Sequence, residues 1–192
     1  MQWITDLDFQ VLDWIQAHLR CIALDWLMPK ITFLGNGGWF WIAIAVLLCF
    51  FRKTWKTGLT MGAGMLCGLI FGNGLLKNLI QRSRPCWIND SVELLIASPT
   101  DYSFPSGHTL SSFIAATVLF QTNRKVGICA YVLASLIAFS RLYLYVHFPS
   151  DVLFAMLFGI LIGILVYRGK NKLEKQWKMR SATTRRKTDG KG

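Results

Sequence analysis

Three short stretches of this 192-residue chain put basic residues and histidines at the mouths of apolar segments. They are KNLIQRSRP at 77–85, PSGH at 105–108 and SRLYLYVHFPSD at 140–151. The candidate site residues in them are three cations (Lys77, Arg84, Arg141), two histidines (His108, His147) and a carboxylate, Asp151. Ionisable groups in an apolar chain are costly, so such a set marks a function. Three permanent cations brought together repel one another, and the expected occupant is a di- or trianion. Arginine suits bidentate contact with phosphate oxygens and lysine acts as a point charge. In PSGH, Pro105 fits a first helical turn, where its missing donor is not needed. Ser106 and Gly107 then offer backbone N–H groups at a positive dipole end, a cradle for phosphate. Gly107 also lets the backbone approach a ligand closely.

The histidines can divide the chemistry. A phosphoryl group in transfer needs a nucleophile on one side and a proton donor for the leaving oxygen on the other. Asp151 lies four residues past His147, within reach at a helix start. A carboxylate there fixes the imidazole tautomer and stabilises the cation formed on attack. Pro149 disfavours helical geometry at Phe148, which places His147 just ahead of the helix that Asp151 begins. Each motif alone is weak: a lone arginine at a helix end usually snorkels to head groups. The weight lies in their joint occurrence.

The elements that must position these residues are apolar. The chain is 53% hydrophobic with a mean hydropathy of +0.40, too apolar for an ordinary soluble domain with 16% charged residues. Five segments approach bilayer length: 38–51, 59–80, 107–120, 126–145 and 152–167. Residues 19–34 form a weaker sixth, interrupted by Asp25, Pro29 and Lys30. Before it, residues 3–18 alternate apolar and acidic positions as an amphipathic helix lying on a membrane does. The expected architecture is therefore an all-α, polytopic membrane bundle of about six transmembrane helices preceded by an amphipathic helix. Residues 1–168 form the embedded domain and 169–192 a basic, disordered tail. Glycines at four-residue spacing (Gly64, Gly68, Gly72; Gly159, Gly163) read as helix-packing positions. Five scattered cysteines imply neither a disulfide framework nor a structural metal. The N-terminus lacks the basic start and apolar core of a cleaved signal peptide.

The net charge of +11 points to an anionic partner, and a membrane fits better than nucleic acid because the charge collects in the tail. Arg52, Lys53 and Lys56, then Arg124 and Lys125, then the tail fall on one side of an alternating chain. The positive-inside rule makes that side the cytoplasm. A spanning segment at 19–34 puts both termini there. Lys77, Arg84, His108, Arg141, His147 and Asp151 then share the opposite, outer face.

The ordered pattern K-x6-RP, PSGH and SR-x5-H-x3-D resembles the signature of the type 2 phosphatidic acid phosphatase (PAP2) superfamily. Here it reads Lys77…Arg84-Pro85, Pro105-Ser106-Gly107-His108 and Ser140-Arg141…His147…Asp151, and with its helices it covers about half the chain. The resemblance implies that His147 is the nucleophile and forms a phosphohistidine. It implies that His108 protonates the leaving group, that Asp151 orients His147, and that Lys77, Arg84, Ser106, Gly107 and Arg141 hold the phosphate. It also implies no cofactor and no metal. The outward site in a bacterial plasma membrane favours undecaprenyl diphosphate as substrate, with phosphatidylglycerophosphate and phosphatidic acid as alternatives. Two further classes are a vanadium haloperoxidase and a non-hydrolytic lipid-phosphate binder or transporter. The oligomeric state is not legible.

Overall fold

In the computed structural model, residues 2–189 are described, with side chains to residue 181. Among the described residues every regular element is helical and there is no strand. The elements are α1 (Gln2–Leu19), α2 (Ile22–Phe33), α3 (Trp39–Cys49), α4 (Trp55–Gly68), α5 (Lys77–Ile80), α6 (Pro85–Ile88), α7 (Gly107–Thr122), α8 (Arg124–Tyr143) and α9 (Pro149–Asp189). A 3₁₀ turn, Asn36–Gly38, joins α2 to α3, and a π-helical segment, Leu69–Leu76, joins α4 to α5.

The core is built around α7, which packs on α4, α8 and α9. Ten of its sixteen residues are buried, from Thr109 to Leu119. Polar members of that helix stay satisfied: Ser112 accepts the Trp41 indole N–H at 2.9 Å, and Thr117 Oγ1 donates to the Phe113 carbonyl. The glycine spacing is spent on this contact. A Cβ at Gly64, Gly68 or Gly72 would meet the side chains of Ile114 or Leu110 within 2.8 Å. Gly163 is likewise pressed on Thr117. Small residues here let the helices approach.

Three helical stretches are long and apolar enough to cross a membrane: Trp55–Ile88, Arg124–Tyr143 and Pro149–Ser181. The pair α2–α3, bent by 43°, adds a fourth as one broken span. The chain is a helical membrane protein, but these are fewer than the six spans expected. α7 has sixteen residues, about 24 Å at 1.5 Å per residue, and still runs the depth of the bundle.

The contacts also place the N-terminal helix. α2 starts beside the end of α8, where the Cys21 N–H donates to Tyr143 Oη. α3 finishes at the opposite end: Cys49 lies against Gly58 of α4, and Thr57 beside it donates to Thr122 in the last turn of α7. So α2 and α3 together lead from one end of the bundle toward the other. α1 therefore lies at the end where α8 finishes and α9 starts. Its inward face includes buried Asp8 as well as Leu12 and Ile15.

α9 continues unbroken past residue 169 to Asp189. Residues 171–180 are nearly all strong helix formers with neither Gly nor Pro. Glu174 pairs with Lys56 at 2.9 Å, at the end away from α1.

Candidate active site

The π segment delivers Lys77. Such wide turns are rare and cluster at functional sites. Lys77 is buried, and the helix stops four residues later at Gln81, in the left-handed region at φ 48°. The chain re-enters helix at α6, with Pro85 at its first position and Arg84 just before it in extended conformation. Arg84 is 2% exposed. Its guanidinium is fixed on every side. Nε donates to the Asp101 carbonyl at 2.6 Å, Nη2 to Asp101 Oδ1 at 2.6 Å, and Nη1 to the Val146 carbonyl at 2.6 Å.

Nη1 also lies 3.0 Å from His147 Nε2. A guanidinium only donates, so Nε2 carries the lone pair and the ring proton sits on Nδ1. His147 occupies the five-residue turn between α8 and α9. That turn is held open by Tyr145 at φ 58°, a strained conformation for a non-glycine residue. The Tyr145 hydroxyl is anchored to Asp13 of α1 at 2.8 Å. Burial, then the nearby Arg84, Arg141 and Lys77 cations, push the His147 pKa well below its ordinary value. The ring is thus held neutral.

Asp151 is fully buried behind His147 but does not bond to it directly. Its Oδ2 is 3.8 Å from Nδ1. Ser103 stands between them, donating to Asp151 Oδ2 at 2.5 Å with its Oγ 3.4 Å from Nδ1. Oδ2 also accepts the Phe148 N–H at 3.0 Å. Oδ1 accepts from Arg82 Nη1 at 2.5 Å, and Arg82 Nη2 reaches Asp8 of α1 at 2.8 Å. The N-terminal helix is thereby tied to the carboxylate that backs His147.

Arg141, 3% exposed, comes from the last turn of α8. Its Nη1 donates to Thr32 Oγ1 at 2.6 Å, while its buried Nε has no partner. A buried donor without a partner is costly and marks a place for an acceptor. At the start of α7, Ser106 is buried and accepts from Thr109 Oγ1. Gly107 faces Asn73 of the π segment, whose Oδ1 is also unpartnered. His108 Nε2 is 2.8 Å from Asn36 Oδ1. The turn that carries Asn36 is moulded to the ring, since a Cβ on Gly35 would fall 2.5 Å from His108 Cδ2. Gly37 and Gly38, at φ 55° and 69°, supply the reversal.

The structure thus brings Lys77, Arg84, Gly107, His108, Arg141 and His147 onto one cavity of about 1080 Å³, with Ser106 and Asp151 directly behind the lining. The cavity continues as an apolar channel between α3 and α4, past Leu66, Val46 and Leu59. Sequence reasoning missed Asp101, Ser103, Arg82, Asp8 and Asn36. The first arginine of RSRP and the run GNGG were visible signals; Asp8 and Asp101 carried none.

The PAP2 superfamily model matches residues 53–175. The chain belongs to the PAP2 superfamily. It is 35% identical over 126 residues to an undecaprenyl-diphosphatase of Sulfolobus acidocaldarius, covering 65% of this chain and 61% of that relative. It is 33% identical over 169 residues to phosphatidylglycerophosphatase B of Bacillus subtilis, covering 80% of this chain and 72% of that one. This chain thus spans under two thirds of the first relative and nearly three quarters of the second. Among solved structures, it resembles the transmembrane PAP2-type phosphatidylglycerolphosphate phosphatase from Bacillus subtilis (TM-score 0.74, 29% identity, 90% of this chain and 88% of that one). It also resembles Aquifex aeolicus LpxE (TM-score 0.75, 29% identity, 84% of this chain and 95% of that one).

Proposed function

We propose that this PAP2 member hydrolyses a lipid phosphate or diphosphate through a phosphohistidine on His147. The observation that supports it most is the junction of a cation-lined pocket with an apolar channel: one takes a phosphate, the other a hydrocarbon tail. His147 Nε2 attacks phosphorus while the bond to the leaving oxygen breaks, and His108 gives that oxygen a proton. Water then attacks the phosphohistidine, passes a proton to His108, and frees inorganic phosphate and Nε2. Lys77, Arg84, Arg141 and the N–H groups at Gly107 stabilise the charge on the phosphoryl oxygens, usually the dominant source of rate acceleration in such catalysis.

The basic residues Lys56 and Lys125 lie at the end of the bundle away from the site. The positive-inside rule then turns the site outward from a bacterial plasma membrane and leaves the basic tail in the cytoplasm. Outward access supports undecaprenyl diphosphate as substrate, with undecaprenyl phosphate and phosphate as products. Phosphatidylglycerophosphate and phosphatidic acid satisfy the same chemistry. The test is phosphate release from a purified panel of these lipids in detergent, with and without chelator. We expect release that chelator does not stop, that vanadate inhibits, and that His147→Ala abolishes. A variant at His147 with near wild-type turnover would sink the assignment. Lipid binding without release from any substrate would make the protein a binder or transporter.

A further inference from the structure

The cation pocket already contains an anion of the protein's own. Asp101, on the loop between α6 and α7, bonds through Oδ2 to Lys77 Nζ and through Oδ1 to Arg84 Nη2 at 2.6 Å. Two of the three cations expected to hold phosphate are therefore engaged by one carboxylate, and Arg141 keeps an unpartnered Nε beside them. Lys77 and Arg84 are buried, whereas the Asp101 side chain is half exposed, so the carboxylate reaches in from the solvent side of the pocket. Burial pushes its pKa up, but the Lys77 hydrogen bond and charge, with Arg84 beside it, outweigh this and hold it at about 2. It stays ionised at any working pH.

We propose that Asp101 is a specificity-determining residue: it occupies the phosphate subsite as a competing anion that only a ligand of higher charge displaces. The inference rests on the reading of Lys77, Arg84 and Arg141 as a phosphate site. A phosphate monoester or diphosphate end carries about two charges or more near neutral pH. Its exchange for a carboxylate gains at least one further charge contact with three cations. A phosphodiester carries one charge, as the carboxylate does, and gains none. Bulk membrane phospholipids are largely diesters and would flood an open site that fits a phosphate and a tail. A built-in monovalent competitor raises the threshold against them while leaving monoester ends able to enter. Discrimination by an element that disfavours the wrong ligand is a general route to specificity.

The test compares wild type with Asp101→Asn by calorimetric titration in detergent micelles, using inorganic phosphate and short-chain dihexanoylphosphatidylglycerol, a diester. The Asn variant should bind inorganic phosphate on the order of tenfold more tightly, the scale of one lost competing charge contact at a partly exposed site. Its preference for phosphate over the diester should fall, because the diester gains a subsite it lacked. Asp101→Ser serves the same comparison if the Asn chain does not fold, and a tighter ligand is not an outcome of misfolding. Equal or weaker phosphate binding in the variants would overturn the proposal and make Asp101 a strut that holds Lys77 and Arg84 in place. If neither wild type nor variants bind phosphate, the phosphate-site reading itself fails.

Discussion

Arg82 offers the sharpest perturbation. Its guanidinium, 20% exposed, bridges Asp8 on α1 and Asp151 behind His147, with Nη1 also donating to Ser150 Oγ at 2.7 Å. It lies 4.1 Å from the centre of the Phe148 ring. Arg82→Met keeps the stem and removes the charge, stranding two carboxylates that are almost wholly buried. Breaking a buried ion pair from one side costs about 3–5 kcal/mol. The partial exposure of the guanidinium puts the expected loss near the lower bound, about 3 kcal/mol. Asp8→Asn, which can still accept the Ser150 N–H, should cost only about 1–2 kcal/mol. Because both changes remove the same bond, the double variant should fall short of the sum by about 1 kcal/mol or more. Unfolding by SDS titration in mixed micelles measures all three. Phosphate release, assayed well below the unfolding midpoint, should drop in Arg82→Met because Asp151 loses the partner of its Oδ1. An Arg82→Met protein as stable and active as wild type, or strictly additive double-variant energies, would refute the idea that α1 is clamped to the carboxylate behind His147.

Other outcomes follow from single contacts. Gly35→Ala should leave the fold standing and cut kcat by about 10²-fold, because the new methyl displaces the His108 ring and small misplacements of a reacting group cost that much; unchanged kcat in steady-state assays would remove His108 from the chemistry. His147 is held neutral by burial and by its cationic neighbours, so its folded pKa lies well below the ordinary 6.5. The unfolded chain then binds the extra proton first as pH falls, and stability declines below about pH 6.5 by up to ~1.4 kcal/mol per unit from this group. Denaturation of wild type and His147→Gln across pH 4–7 checks this, with a shallower slope expected in the variant.

Much of the site was legible in the chain. Lys77, Arg84, His108, Arg141 and His147 stand out because charged and ionisable groups are conspicuous against apolar segments, and helix spacing fixes which end of a segment each occupies. The same spacing marked the glycine positions on α4 and α9 that face α7. The number of passages was not legible. Residues 19–34 look like a weak span in isolation, and only the structure shows that α2 runs on into α3 through a 43° bend. The amphipathic pattern of α1 was visible, but not that its Asp8 turns inward to an arginine 74 residues away.

The amino-acid sequence alone determined a membrane bundle of helices and the chemical kinds that meet at its rim, because hydropathy and helical period are local properties. Tertiary structure decided which groups touch: Ser103 between Asp151 and His147, Asn36 on His108, and Asp101 across Lys77 and Arg84. These pairings join residues from 17 to 72 positions apart. Ser, Asn and Asp are common in ordinary loops, so no local pattern distinguishes a partner of the site from a turn residue until the helices have packed.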